Sequence, residues 1–179
     1  MIAHPGLPLR LAAVPGFVLL IAVCAGLSVP MFPVPMTMQT WAVLLAGVVL
    51  GWRWGGGAVL SYLVLGLTGL PVFSDGASGV APFTGPTAGY LLAFPLAAAA
   101  AGVLAEQGRL RGFIPASAWL FGLHLSILAV GTGWLAIRMG VPVAVAAGFT
   151  PFLIGAAVKS GLVVLAARAL SAAPGFRPA

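Results

Sequence analysis

The stretch Pro71–Tyr90, PVFSDGASGVAPFTGPTAGY, is the only long interruption in a chain that is otherwise close to unbroken hydrocarbon. It holds four Gly, three Pro and four Ser or Thr residues, with Asp75, one of the two acids in the sequence. Gly and Pro at this density break regular helix and favour tight turns. The stretch also carries Phe73, Phe83 and Tyr90, side chains that gain by leaving water. A compact loop folded back over the helix ends is therefore expected, rather than a free linker. Helix is expected to resume at Thr87, a residue type suited to capping. In this reading the loop closes one end of a pocket within a membrane.

The membrane follows from composition. Of 179 residues, 61% are hydrophobic and 6% are charged, too few charges to cover a water-soluble domain of this size. The formal net charge of +6 comes from basic residues scattered singly among apolar runs. They make no phosphate-binding patch, so nucleic acid is not an expected partner. Cys24, the single cysteine, excludes a disulfide framework and a thiolate metal site, and reads as a small buried hydrophobe.

Moving out from the loop, six apolar spans are expected in one domain covering residues 1–179: about 11–29, 37–50, 55–70, 87–104, 115–137 and 152–170. The first resembles the core of a signal peptide but is too long for one, and reads as a retained helix. Residues 1–8 and 173–179 read as an irregular lead and tail. Pro30–Pro35, PMFPVP, cannot be helix interior and makes a short extended turn. Spans two and three fall short of the roughly 20 residues of a full crossing, so irregular segments lining a cavity must complete them. Trp52-Arg53-Trp54 reads as an interfacial anchor. With the N-terminus cytoplasmic, Arg10, Arg53, Arg109, Arg111, Arg168 and Arg177 lie inside and Arg138 alone lies outside. The positive-inside rule favours that orientation, with both termini cytoplasmic and the Gly/Pro-rich loop on the outer face.

Lys159 is the strongest chemical signal. It lies well inside the last span, where a lysine costs about 2.5–3.5 kcal/mol on insertion scales. The nearest interface is beyond the reach of its side chain, so snorkelling does not relieve the cost. Phe152, Gly155 and Ala156 stand at i−7, i−4 and i−3 and share its face. A ring, two small residues and a cation suit an apolar ligand with a polar or anionic end. Thr37, Gln39 and Thr40 place hydroxyl and amide groups at the outer end of span two, where they either cap the helix or line the pocket. Tyr90 sets a hydroxyl at the same face.

A second class of function has to be weighed. Gly76-Ala77-Ser78-Gly79 spells GxSG, the nucleophile motif of intramembrane serine proteases, and His124 lies in a later span. Ser78, however, sits in an irregular loop rather than opening a helix. His124, beside Ser126, reads as a helix–helix hydrogen bond. No Walker A pattern, zinc-ligand cluster or paired carboxylates occur, so the chain is not expected to be an enzyme or to hydrolyse ATP itself.

Three segments together resemble the BioY family, the biotin-binding S components of energy-coupling factor (ECF) transporters. They are Pro33-Val-Pro-Met-Thr-Met-Gln39-Thr continuing to Gly47 and Leu50-Gly51; Tyr62, then Gly66-Leu-Thr-Gly69-Leu-Pro71-Val-Phe73 and the loop into Gly85-Pro86-Thr87-Ala-Gly89-Tyr90; and Pro151-Phe-Leu-Ile-Gly155 followed by Lys159. The resemblance implies an all-α membrane protein of six transmembrane helices that captures biotin from outside. No cofactor is implied, biotin being the transported ligand. It implies a pocket whose candidate contacts are Thr37, Gln39, Phe73 and Thr84, with Gly89, Tyr90, Phe152 and Lys159. It also implies a first helix whose small residues, Ala12, Gly16, Ala22 and Gly26, face a transmembrane coupling subunit. Separate ABC-type ATPase subunits would supply the energy, in a bacterial plasma or inner membrane. A different small vitamin is the alternative cargo. The sequence departs from the family pattern at Ala156, where the family usually carries an Asp three residues before this Lys.

Overall fold

The computed structural model describes residues 7–172. The expected tail with Arg177, the first part of the lead and the side chain of Arg10 lie outside the described residues. Helix α1 (Leu7–Gly26) runs through Pro15, so the described end of the expected lead, Leu7 and Pro8, is already helical. A two-residue strand β1 (Ser28–Val29) pairs antiparallel with β2 (Met36–Thr37), Ser28 opposite Thr37 and Val29 opposite Met36. The proline turn is thus the tip of a small hairpin. Then come α2 (Gln39–Leu50) and α3 (Trp52–Leu67), and α4 (Ala81–Thr84) within the loop. Helices α5 (Ala88–Glu106), α6 (Phe113–Met139), α7 (Val141–Gly148) and α8 (Phe152–Ser171) complete the chain.

Three of these helices, α5, α6 and α8, are long and apolar enough to cross a membrane by themselves. Six spans were expected, with the second and third too short to cross without neighbouring segments. The shortfall lies in α2, only 12 residues long, in α3, with 16, and in the apolar part of α1, Leu11–Gly26. Short α2 is nevertheless the centre of the bundle. From Ala42 to Leu50 every residue is buried, as expected of a helix that is apolar all round. It packs against α1, α3, α5 and α8.

Small residues let these helices meet. A Cβ on Gly55 would lie 2.5 Å from the Cα of Gly47, so α2 and α3 touch backbone to backbone where they cross. The alanine run of α5 serves the same end, with Ala97, Ala98 and Ala101 buried. Outward positions are aliphatic: Leu96, Ile137 and Ile154 are 75%, 81% and 80% exposed. Such a surface suits hydrocarbon and not water, and the chain is a multi-pass membrane protein.

Two opposite ends are recognisable. At one, the backbone N–H of Trp52 donates to Glu106 Oε1 at 3.2 Å, joining the start of α3 to the end of α5. Arg53 lies over the Trp52 ring at 5.0 Å, and Arg109 over Trp119 at 5.5 Å. At the other end, the Gly/Pro-rich loop is fastened to α6. Trp134 Nε1 donates to the carbonyl of Gly85 at 2.9 Å, and Arg138 Nη1 to that of Thr84 at 2.7 Å.

The loop is more regular than its composition suggests. A 3₁₀ turn spans Ser74–Gly76 and α4 opens with proline in its first turn, where a missing N–H costs nothing. Asp75 at φ 58° and Gly76 at φ 69° take the left-handed conformation that reverses the chain. Phe73 is buried and meets Tyr62 and Phe83 edge to face, at 5.4 and 5.5 Å between ring centres. This is the folded-back packing expected of the aromatics. Thr87 stands at the N-cap of α5 without capping it. Its hydroxyl donates instead to the carbonyl of Pro82 at 3.2 Å, tying α5 to α4.

Candidate functional site

Beneath the loop lies a cavity of about 350 Å³, large enough for a small organic ligand. Its wall is drawn from the β-hairpin, the start of α2, the loop, α5, α6 and α8. Most of the wall is apolar, including Val34, Leu91, Phe94, Ile127, Leu128 and Phe152.

Lys159 projects from α8 and is buried, 8% exposed. Its Nζ donates to the carbonyl of Thr37 at 2.5 Å and stands 3.5 Å from Thr40 Oγ1. The cost of placing this group in hydrocarbon is thus offset in part by two neutral oxygens at the start of α2. Asp75 also borders the cavity, but no ion pair joins it to Lys159. The cation therefore has no acidic partner among the described residues.

Gln39 is held by a relay. Its Nε2 donates to Tyr62 Oη at 2.6 Å, and Tyr62 Oη donates to the carbonyl of Val72 at 3.0 Å. With one amide proton engaged, the amide oxygen can accept from a ligand and the second N–H can donate to one. Thr37 Oγ1 accepts the backbone N–H of Gln39 at 3.3 Å, so the threonine supports the helix start and borders the cavity at once. Tyr90 Oη donates to the carbonyl of Gly148 at 2.8 Å and lies 3.4 Å from Thr132 Oγ1. Its ring stands tilted, 6.5 Å from that of Phe152.

Six of the eight candidate contacts, Thr37, Gln39, Phe73, Tyr90, Phe152 and Lys159, border this one cavity. Thr84 and Gly89 do not. Thr84 is exposed, and its hydroxyl turns back to the carbonyls of Ala81 and Val80 at 3.3 and 3.4 Å. Gly89 faces α6, where a Cβ would lie 2.5 Å from Trp134 Cβ and 2.9 Å from the Val130 carbonyl oxygen. Its smallness serves helix packing. Asp75 and His124, by contrast, line the wall unforeseen. The Asp-Gly pair is a turn signal, and only the loop's inward fold turns it toward the cavity.

Ser78 is not part of the cavity wall. His124 Nδ1 is engaged by the carbonyl of Leu120 at 3.1 Å and by Ser160 Oγ at 3.0 Å. The second contact is the helix–helix hydrogen bond expected of this histidine, made to α8. No contact joins it to Ser78. On α1, Ala12, Gly16 and Gly26 are exposed and Ala22 is half-buried, and a Cβ on Gly16 or Gly26 would meet nothing within 4 Å.

The sequence profile of the BioY family matches residues 6–175. The chain belongs to the BioY family. Among BioY relatives, a protein of Pyrococcus horikoshii described as a probable biotin transporter is 40% identical over 154 residues, covering 86% of this chain and 91% of its own. The biotin transporter BioY2 of Lactococcus lactis is 40% identical over 153 residues, 84% of each chain. The fold agrees with the crystal structure of the S-component for biotin from an ECF-type ABC transporter, at TM-score 0.83 and 25% identity over 93% of both chains.

Proposed function

We propose that this BioY protein is the biotin-capture subunit of an ECF-type transporter, working in a bacterial plasma or inner membrane. The observation that carries the reading is Lys159: a buried cation with no acidic partner among the described residues, set in the wall of a largely apolar cavity. Biotin has the matching shape, an aliphatic chain and thioether ring between a carboxylate and a ureido group. Substrate capture also accounts for the arrangement of the ends. The loop and hairpin cover the cavity on the outer side, while the arginine-bearing end faces the cytoplasm in the orientation favoured by the positive-inside rule. The six apolar helices α1, α2, α3, α5, α6 and α8 together form the membrane body, with the short ones completed by the hairpin and loop.

Energy has to come from elsewhere, since the sequence holds no nucleotide motif. A transmembrane coupling subunit and ABC-type ATPases are the proposed partners, and the small-residue face of α1 is the proposed docking surface. Gly26→Leu tests that surface, because a Cβ added at this position meets nothing within 4 Å in the folded chain. The variant is expected to bind biotin normally and to lose co-purification with the coupling subunit. Recovery of the complex at wild-type yield would remove α1 from the interface.

The reading as a whole is tested by uptake. Expression with the coupling and ATPase subunits in a biotin-auxotrophic bacterium lacking its own importer should restore growth on trace biotin. Growth restored for a thiamine or riboflavin auxotroph instead would assign another vitamin.

A further inference from the structure

His124 has a ring nitrogen that the fold leaves unused. The side chain is 2% exposed and borders the cavity. Its Nδ1 faces the carbonyl of Leu120 at 3.1 Å, a group that can only accept. It also faces Ser160 Oγ at 3.0 Å, whose own proton is committed to the carbonyl of Ala156 at 2.7 Å. Both neighbours therefore require Nδ1 to be the donor, which fixes the neutral tautomer with the proton on Nδ1. The other nitrogen, Nε2, then carries a lone pair and can only accept. It is buried and has no hydrogen-bond partner.

Buried polar atoms without partners are rare and costly to a fold. Two others occur among the described residues, Trp41 Nε1 and Ser117 Oγ, but neither residue borders the cavity. Among the described residues His124 is thus the one such residue in the wall, and the missing partner has to be a donor. At neutral pH the carboxyl group of biotin is ionised and accepts only. Its donors are the two ureido N–H groups.

We propose that His124 Nε2 accepts a hydrogen bond from a ureido N–H of biotin, making His124 a determinant of specificity. This rests on the reading of biotin as cargo. It sets the ureido ring between α6 and α8, beside Ser160 and the adjoining Lys159, so that an N–H acceptor and an N–H donor stand on one side of the cavity. A ureido group offers the complement, a carbonyl flanked by N–H.

The test compares three ligands on purified protein: biotin and its two analogues mono-methylated on one or the other ureido nitrogen. His124→Asn keeps a short N–H donor for Leu120 and Ser160 but removes the acceptor at Nε2, whereas His124→Gln retains a polar group at that reach. His124→Asn is expected to weaken biotin about tenfold with an unchanged melting temperature. With the analogue methylated at the contacting nitrogen the same substitution should cost about twofold or less, because no proton remains to be donated. His124→Gln should recover most of the biotin affinity. An equal penalty for all three ligands, or none, would overturn the proposal while leaving biotin as the cargo. Failure of the wild-type protein to bind biotin would overturn the cargo and this contact together.

Discussion

Lys159→Met is expected to weaken biotin binding by about ten- to a hundredfold, the worth of one charge-assisted hydrogen bond. An ammonium group has three protons to donate. The carbonyl of Thr37 takes one at 2.5 Å, and Thr40 Oγ1 stands at the limit of hydrogen bonding, 3.5 Å away. At least one donor, and the whole of the charge, is left to the cavity. Methionine keeps the length and apolar bulk of the side chain. It removes a buried charge that costs energy where it stands, and this offsets the loss of the tie to Thr37. The variant should therefore be recovered folded from the membrane. Titration of the purified variant is the check. An unchanged affinity would show that Lys159 serves only to fasten α8 to the start of α2.

The second large effect is expected at Gly131. A Cβ at this position falls on the ring of Tyr90, and at Gly133, two residues along the same helix, it meets nothing within 4 Å. Gly131→Val must displace Tyr90, and with it the hydrogen bond to the carbonyl of Gly148 and the ring contact with Phe152. Overpacking of this kind costs about 1–3 kcal/mol, which corresponds to a fall of roughly 2–12 °C in melting midpoint for a chain of this size. Biotin affinity should fall with it, since Tyr90 and Phe152 both form cavity wall. Gly133→Val is the control for helix propensity alone and should melt close to wild type. Equal melting of the two variants would mean that the Tyr90 packing contributes nothing.

Sequence reading reached far into this fold because hydrocarbon runs and their interruptions are strong signals. The expected edges of spans four to six fall within two residues of α5, α6 and α8. Where it failed, the element was too short to carry a period. Two-residue strands and the four-residue α4 show no alternation or helical repeat, so the hairpin reads only as a proline turn and the loop as irregular. Neighbours in sequence also part company in space. Gly89 and Tyr90 are adjacent, yet Gly89 meets α6 while Tyr90 borders the cavity. Lys159 illustrates a different limit. The sequence exposes the cost of the buried charge, because the chain has only two acids. The compensating carbonyl of Thr37 lies 122 residues away, and a backbone oxygen leaves no mark in a sequence.

Direct titration of the detergent-purified chain with biotin, riboflavin and thiamine bears most closely on the assignment. Saturable one-to-one binding of biotin, undisturbed by a large excess of either other vitamin, is the expected result. Binding of riboflavin or thiamine with no response to biotin would contradict it.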